Sequence, residues 1–359
     1  MMQRVAFSIL ILVCAMPARK RPASAVEQDR ETALKDCVSN SSKVGLAATL
    51  TTLHEAGLLS EDFNRSGTPL RKLAASAQRV HSKAVTPYGP IVQYMDLPCH
   101  RNWGFIHPLS LLYYLSTSCS MFGQVMASCL HPTDPLTLIL YFDEICPGNA
   151  LRPEKSRTLQ DIYLAFLDWP QWLLNRVAAW PTFSVIRSTS AAKLSGGMGT
   201  LIKYVLHAFF PEEGHSLARG VTIMLHGVAR IARGAFGGFL ADEKAHKEVG
   251  SQKGASGFKP CAGCQNLMHR LPMAHIHANG LQCLSCADPD AFVHHTDESI
   301  FEISGMLAAT AGNDRKMLEK SSGFKYEPDA ALYHASLRNR GIYKPYPHMI
   351  RDWMHVVLN

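Results

Sequence analysis

No run of apolar residues in this 359-residue chain is long enough to span a bilayer. No segment repeats elsewhere in the sequence, and no long basic arm is present, only the short "RKR" at 19–21. The first absence leaves no membrane partner to expect. The second excludes stacked repeat arrays, whose units bury a core only against copies of themselves. The third removes the simplest footprint of a nucleic-acid tail, although a net charge of +7 still admits an anionic partner such as DNA. Regular cysteine spacing is missing too. Cys14, Cys37, Cys99, Cys119, Cys129 and Cys146 are isolated and mostly embedded in apolar sequence. They read as small buried hydrophobes of a reducing compartment and not as the staples of a secreted scaffold.

What is present describes a globular protein, 47% hydrophobic and 18% charged, long enough for two or three domains and a substantial core. Residues 1–25 form an apolar leader. Arg4, "VAFSILILVCAM" and Ala23-Ser24-Ala25 imitate a secretory signal, against which stand the intervening "RKR" and the cysteine pattern. Secretion is therefore kept as the alternative to an intracellular, nuclear protein. Residues 26–132 read as a helical N-terminal region. "SSKVGLAATLTTLHEAGLLSEDF" carries leucines at near-helical spacing, and "PLSLLYYLSTSCSMFGQVMASCL" reads as one apolar helix that ends before "HPTDP".

Beyond that Pro-bearing linker the pattern changes. "LTLILYFDEICPGN" is a continuous apolar run of strand length, as the central strand of a sheet would be. "PTFSVIRS", "GVTIMLHG" and "GAFGGFLAD" are further strand candidates, while "GMGTLIKYVLHAFF" and "DEKAHKEV" have helical character. Strands mixed with helices predict an α/β or α+β layer.

Two patterns carry chemistry. In "CAGCQNLMHRLPMAHIHANGLQCLSC", Cys261 and Cys264 precede Cys283 and Cys286 by about 18 residues. Two such pairs fit a zinc-ribbon site, because each short pair turns two thiolates toward one ion. His269, His275 and His277 lie within the loop, so a Cys3His set is an alternative, as are redox or free thiols. A zinc site with four protein ligands is closed and structural. The second pattern is acidic. Asp143 closes the apolar run 136–142 and Asp242 closes "GAFGGFL", so both carboxylates would share a sheet edge if these strands are neighbours. Paired carboxylates can hold divalent cations for phosphoryl transfer, although acids at strand ends also serve as caps and turn residues. In "RDWMHVVLN", Asp352 and His355 stand three apart and would share one face of a helix.

The order of these pieces resembles the DDE transposase domain of CACTA and Plavaka-like DNA transposons: "YFDE" followed by "PGNALRPEKSR", then "GGFLADEKAHKEVGSQKGASGFKPCAGCQN", then "RDWMH". It also resembles a group of repeated, uncharacterised proteins of dinoflagellate type carrying "ADEKAHKEV". The resemblance covers about residues 136–359. It implies an RNase H-like (retroviral-integrase-like) mixed sheet, with its first part in 133–250, a zinc-binding insertion in 251–290 and a C-terminal part in 291–359. By the same resemblance Asp143 and Asp242 are metal-binding carboxylates for Mg²⁺ or Mn²⁺, Asp352 and His355 support the site, and Cys261 and Cys264 match the family's cysteine pair. Asp242 lacks the Gly-Asp-Leu-Pro-like surroundings of many relatives. The third acid is expected beyond residue 359, so the sequence as given is expected to be truncated and to be incomplete or inactive in Mg²⁺-dependent strand cleavage and transfer. DNA is the expected partner, and a homo-oligomer is compatible with the sequence. The alternative is a zinc-stabilised protein- or nucleic-acid-binding module without catalysis.

Overall fold

A computed structural model describes residues 85–145 and 158–351, apart from 99, 177–178, 255–256, 262, 270–279 and 287. The leader, the helix expected in 41–63, and Asp352 with His355 lie outside these residues.

The described chain opens with two antiparallel hairpins, β1 (Val85–Thr86) with β2 (Gly89–Pro90) and β3 (Val92–Leu97) with β4 (His100–Ile106). These strands correct the helical reading of 26–132 over residues 85–106. In "NWGFI", Trp103 and Phe105 alternate with polar or small neighbours, and that period of two buries both rings. The single helix expected next is two, α1 (Pro108–Ser118) and α2 (Ser120–Cys129), because Cys119 between them is extended at φ −120, ψ 104. His107 starts α1 by accepting the Ser110 amide hydrogen on Nδ1, and Pro108 occupies a first-turn position where no amide hydrogen is needed.

The strands of the main sheet follow. β5 (Leu136–Ile145) runs three residues past the expected end, so Asp143 lies within the strand. β6 (Leu159–Phe166) leads through one turn of helix, α3 (Gln171–Leu174), to β7 (Thr182–Arg187). The short α4 (Ser188–Ala191) precedes the long crossover helix α5 (Gly197–Phe209). A hairpin, β8 (Val221–Leu225) with β9 (Val228–Ala232), leads into β10 (Gly234–Ala241) and α6 (Glu243–Val249). Next come the short parallel pair β11 (Leu267–Met268) and β12 (Gln282–Cys283), the helices α7 (Asp297–Ala309), α8 (Gly312–Ser322) and α9 (Ala335–Asn339), and finally β13 (Met349–Arg351).

Five strands form one mixed sheet in the order β13-β10-β5-β6-β7. β5, β6 and β7 are antiparallel in turn; β10 returns parallel to β5 on its other side, and β13 adds parallel to β10. The fold is α/β with a mixed sheet, and β5 is its middle strand as expected. Leu138, Leu140 and Phe142 point to one face and are almost fully buried with Leu201, Ile202, Val205, Leu206 and Phe209 of α5. The last five recur at one and four residues, which makes a single apolar stripe on a helix, and each such side chain contributes about 1.5–3 kcal/mol by leaving water. Phe183 of β7 stacks on Phe209 with centroids 5.6 Å apart, and Trp103 Nε1 donates to the Val185 carbonyl at 3.3 Å, so the β3–β4 hairpin is held to β7.

Candidate functional site

The opposite face of β5 is wetter. Thr137, Tyr141 and Asp143 are half-buried there, and the Tyr141 ring stacks on Tyr163 of β6 with centroids 5.8 Å apart and meets Trp180 edge-on. Asp143 stands one pleat beyond Tyr141, near the carboxyl end of the strand.

Asp242 reaches the same end by a different route. The β10–β5 ladder shifts register between Phe236 and Gly238, then pairs Phe239 with Leu140 and Leu240 with Tyr141. Continued by two residues beyond the paired ladder, that register would bring Asp242 level with Asp143, on the neighbouring chain segment about 4.8 Å away. The bulge sets this match, since without it every following residue of β10 would turn to the other face. Asp242 is also the N-cap of α6: its Oδ1 accepts the Ala245 amide hydrogen at 2.7 Å, worth about 1 kcal/mol to the helix. The cap role and the edge position coexist, since a carboxylate has a second oxygen.

α6 is fastened at this edge from two sides. Lys244 Nζ lies 3.3 Å from Glu144 Oε2, an exposed pair, and the hydrogen bond that Lys244 donates to Glu144 raises its ammonium above its usual range. Buried His246 shares a hydrogen bond of 2.8 Å between Nε2 and the Ile350 carbonyl, locking the helix to β13. β13 ends at Arg351, which pairs with Ala241, immediately before Asp352 in sequence. A cleft of about 370 Å³ beside α6 is lined by Lys244, Lys247, Lys253 and Lys325 among others. Those four lysines pair with Glu144, Glu243, Glu319 and Glu327, so the cleft is charge-balanced.

A residue that the sequence reading missed completes the row. Asp161 of β6 is the Cα partner of Asp143, and it is 6% exposed. Burial raises its carboxyl above the usual carboxylate range, and the Asp143 charge acts in the same direction, while Tyr163, Ile162 and Thr182 hydrogen bonds oppose the shift. Burial and the hydrogen bond to Asp161 likewise push the Tyr163 hydroxyl well up. The available signal was the alternation in "LQDIYLAF", where Ile162, Leu164 and Phe166 are buried on the core face.

The cysteine pairs lie elsewhere. β11 and β12 bring their two segments together, pairing Met268 with Cys283, and Cys264 bridges antiparallel to His294. Cys264 and Cys283 are buried, and Cys261 is half-buried. Asn266 organises this unit: its Nδ2 donates to the Gly280 and Ala291 carbonyls at 2.8 and 2.9 Å, and its Oδ1 accepts the Val293 amide hydrogen at 2.9 Å. Burial holds the Lys259 ammonium below its usual range, with Cys264 opposing that shift. The Cys286 side chain and His275 and His277 lie outside the described residues. Among the described residues, no group of three or more His, Cys, Asp or Glu side chains gathers as a metal site. No described helix is long and apolar enough to cross a membrane. Compared with protein-family models and with the sequences of curated proteins, the chain matches none.

Proposed function

We propose that this chain is a transposon-derived, DDE transposase-like protein with an RNase H-like fold, acting on DNA in the nucleus. Asp143 and Asp242 are its cation-binding carboxylates. The observation that supports this reading is the parallel pairing of β5 and β10 up to Leu240 and Tyr141, a register that, continued by two residues, would set Asp242 level with Asp143. Hard divalent cations prefer such carboxylate oxygens, so the donor set fits Mg²⁺ or Mn²⁺. A cation bound there would supply Lewis-acid activation of water and of a phosphate oxygen. The protein's own part is to hold both carboxylates in register, with Asp242 oriented by its cap to α6 and α6 fixed by His246.

Structural zinc is proposed at Cys261, Cys264, Cys283 and Cys286, with His269, His275 and His277 as alternative donors. Support comes from the pairing of the two cysteine segments by β11 and β12. That same pairing favours a second reading, a zinc-stabilised binding module without catalysis. Mn²⁺ titration, followed by calorimetry and by electron paramagnetic resonance of the free ion, separates the two. Asp143→Asn and Asp242→Asn each lower Mn²⁺ affinity by at least about tenfold if the edge is a cation site. Unchanged affinity in both variants overturns the transposase reading and leaves the binding module.

A further inference from the structure

We infer that the cleft beside α6 binds the phosphodiester backbone of DNA, with Lys244, Lys247, Lys253 and Lys325 as its phosphate contacts. The inference rests on the reading just given and names the path of the strand beyond the acid edge. Lys244 and Lys247 stand three apart on α6 and both line the cleft. Asp242 caps the same helix, and at a rise of about 1.5 Å per residue Lys247 lies roughly 7.5 Å from it along the axis. Two nucleotides rise about 6.8 Å along one DNA strand. A backbone lying at the edge would therefore carry its next phosphates to the cleft.

Three separate segments are fastened so that these ammonium groups converge. The Gln252 amide donates to the Lys247 carbonyl at 2.8 Å, and the Lys253 and Lys325 amides donate to the Gly323 and Ser251 carbonyls at 2.7 Å, around the antiparallel bridge of Gln252 with Phe324. At Gly254, where φ is +58, a Cβ would lie 3.1 Å from Lys247 Cδ, so the glycine lets that side chain lie along the loop. The space of about 370 Å³ is walled by the four lysines and by two acids, Glu243 and Glu248. Glu144, Glu319 and Glu327, which complete the charge balance, stand outside the wall. Of the four pairs, Lys253 with Glu319 is sheltered; Glu144 and Glu243 are exposed, and Lys325 stands 3.9 Å from Glu327. Exposed ion pairs contribute about 0–1 kcal/mol, so phosphate oxygens can replace those carboxylates.

Fluorescence anisotropy of a labelled DNA oligonucleotide, titrated with the full chain in EDTA at several salt concentrations, tests the cleft independently of any cation at the acid edge. Lys244→Gln combined with Lys247→Gln should lower affinity about tenfold and reduce the slope of log affinity against log salt by about 2, one for each phosphate contact removed. Its melting temperature and Mn²⁺ affinity should match the parent. Arg101→Gln combined with Arg230→Gln removes the same charge from exposed positions in the β3–β4 and β8–β9 hairpins and should leave the slope unchanged. Glu144→Gln frees Lys244 and should strengthen binding about twofold. No binding by the parent, an unchanged slope in the lysine variant, or an equal fall in the arginine variant overturns the inference. Mn²⁺ affinity lost in Asp143→Asn alongside such a result leaves the proposed function standing. Displacement of the oligonucleotide by an equal concentration of inorganic phosphate also overturns it, because the cleft would then hold a free anion. A lowered slope in the lysine variant, with full Mn²⁺ affinity in Asp143→Asn and Asp242→Asn, removes the proposed function and leaves the cleft as a DNA contact.

Discussion

Replacing Gly238 with alanine should unfold the sheet edge at a lower temperature and misalign the carboxylate row. A Cβ at this position would lie 2.7 Å from the His348 carbonyl oxygen and 3.0 Å from Ile350 Cδ1, at a backbone φ of +152 that side chains rarely adopt. The oxygen is not a soft neighbour, because it accepts the Phe239 amide hydrogen at 2.7 Å in the bond that joins β10 to β13. Overpacking costs about 1–3 kcal/mol and positive-φ strain a similar amount, so a loss on the order of 3 kcal/mol is expected. For a domain of this size that lowers the melting temperature by roughly 6–12 °C. Gly227→Ala is the control: Gly227 has φ +80 in the β8–β9 turn, and nothing lies within 4 Å of its added Cβ. Its loss reports strain alone, and the difference between the two melts reports the clash. Circular dichroism melts of both variants provide the measurement, with Mn²⁺ affinity recorded below each midpoint. If Gly238→Ala melts within about 2 °C of the parent, or no lower than Gly227→Ala, the tight β10–β13 approach does not exist as described.

Acid should destabilise the fold in part through half-buried His107 and buried His348, each held down to about 4 mainly by loss of solvent, with His215 and Lys344 adding respectively. Both use Nδ1 as an acceptor, from the Ser110 and Lys344 amides, and protonation removes that acceptor. The unfolded chain binds more protons between about pH 6.5 and pH 4, so stability falls with pH through that window, by up to roughly 3 kcal/mol per group. Urea melts across this range test it, and His348→Asn, which can still accept a hydrogen bond, should flatten the acid limb. Leu140→Ala removes a fully buried side chain from the central strand and should cost about 2–5 kcal/mol in the same melts. Purified protein should carry about one zinc per chain, lost in Cys264→Ser together with amide-exchange protection around Asn266; full metal retention in the quadruple cysteine variant would remove the zinc proposal.

Local sequence was enough for the elements whose burial repeats along the chain. α5 was legible because Leu201, Val205, Leu206 and Phe209 recur at helical spacing, and the central position of β5 was legible because so few of its residues tolerate water. β3 and β4 were obscured because polar and exposed residues such as Tyr94 and Asn102 interrupt their short alternations. β13 is too brief for a period to register; pairing with β10 makes it a strand. The two aspartates were readable as acids near strand ends, but whether they meet depended on strand order and on one bulge at Gly237–Gly238. Neither is local, since a residue's cross-strand neighbour is chosen by the ladder. Asp161 is the clearest case. In sequence it is one acid inside a half-polar stretch, and only the antiparallel return of β6 sets it opposite Asp143 with a buried oxygen unmet. Periodicity writes itself into a chain because each residue meets the same side of its own element, whereas a site joins residues that the chain keeps far apart.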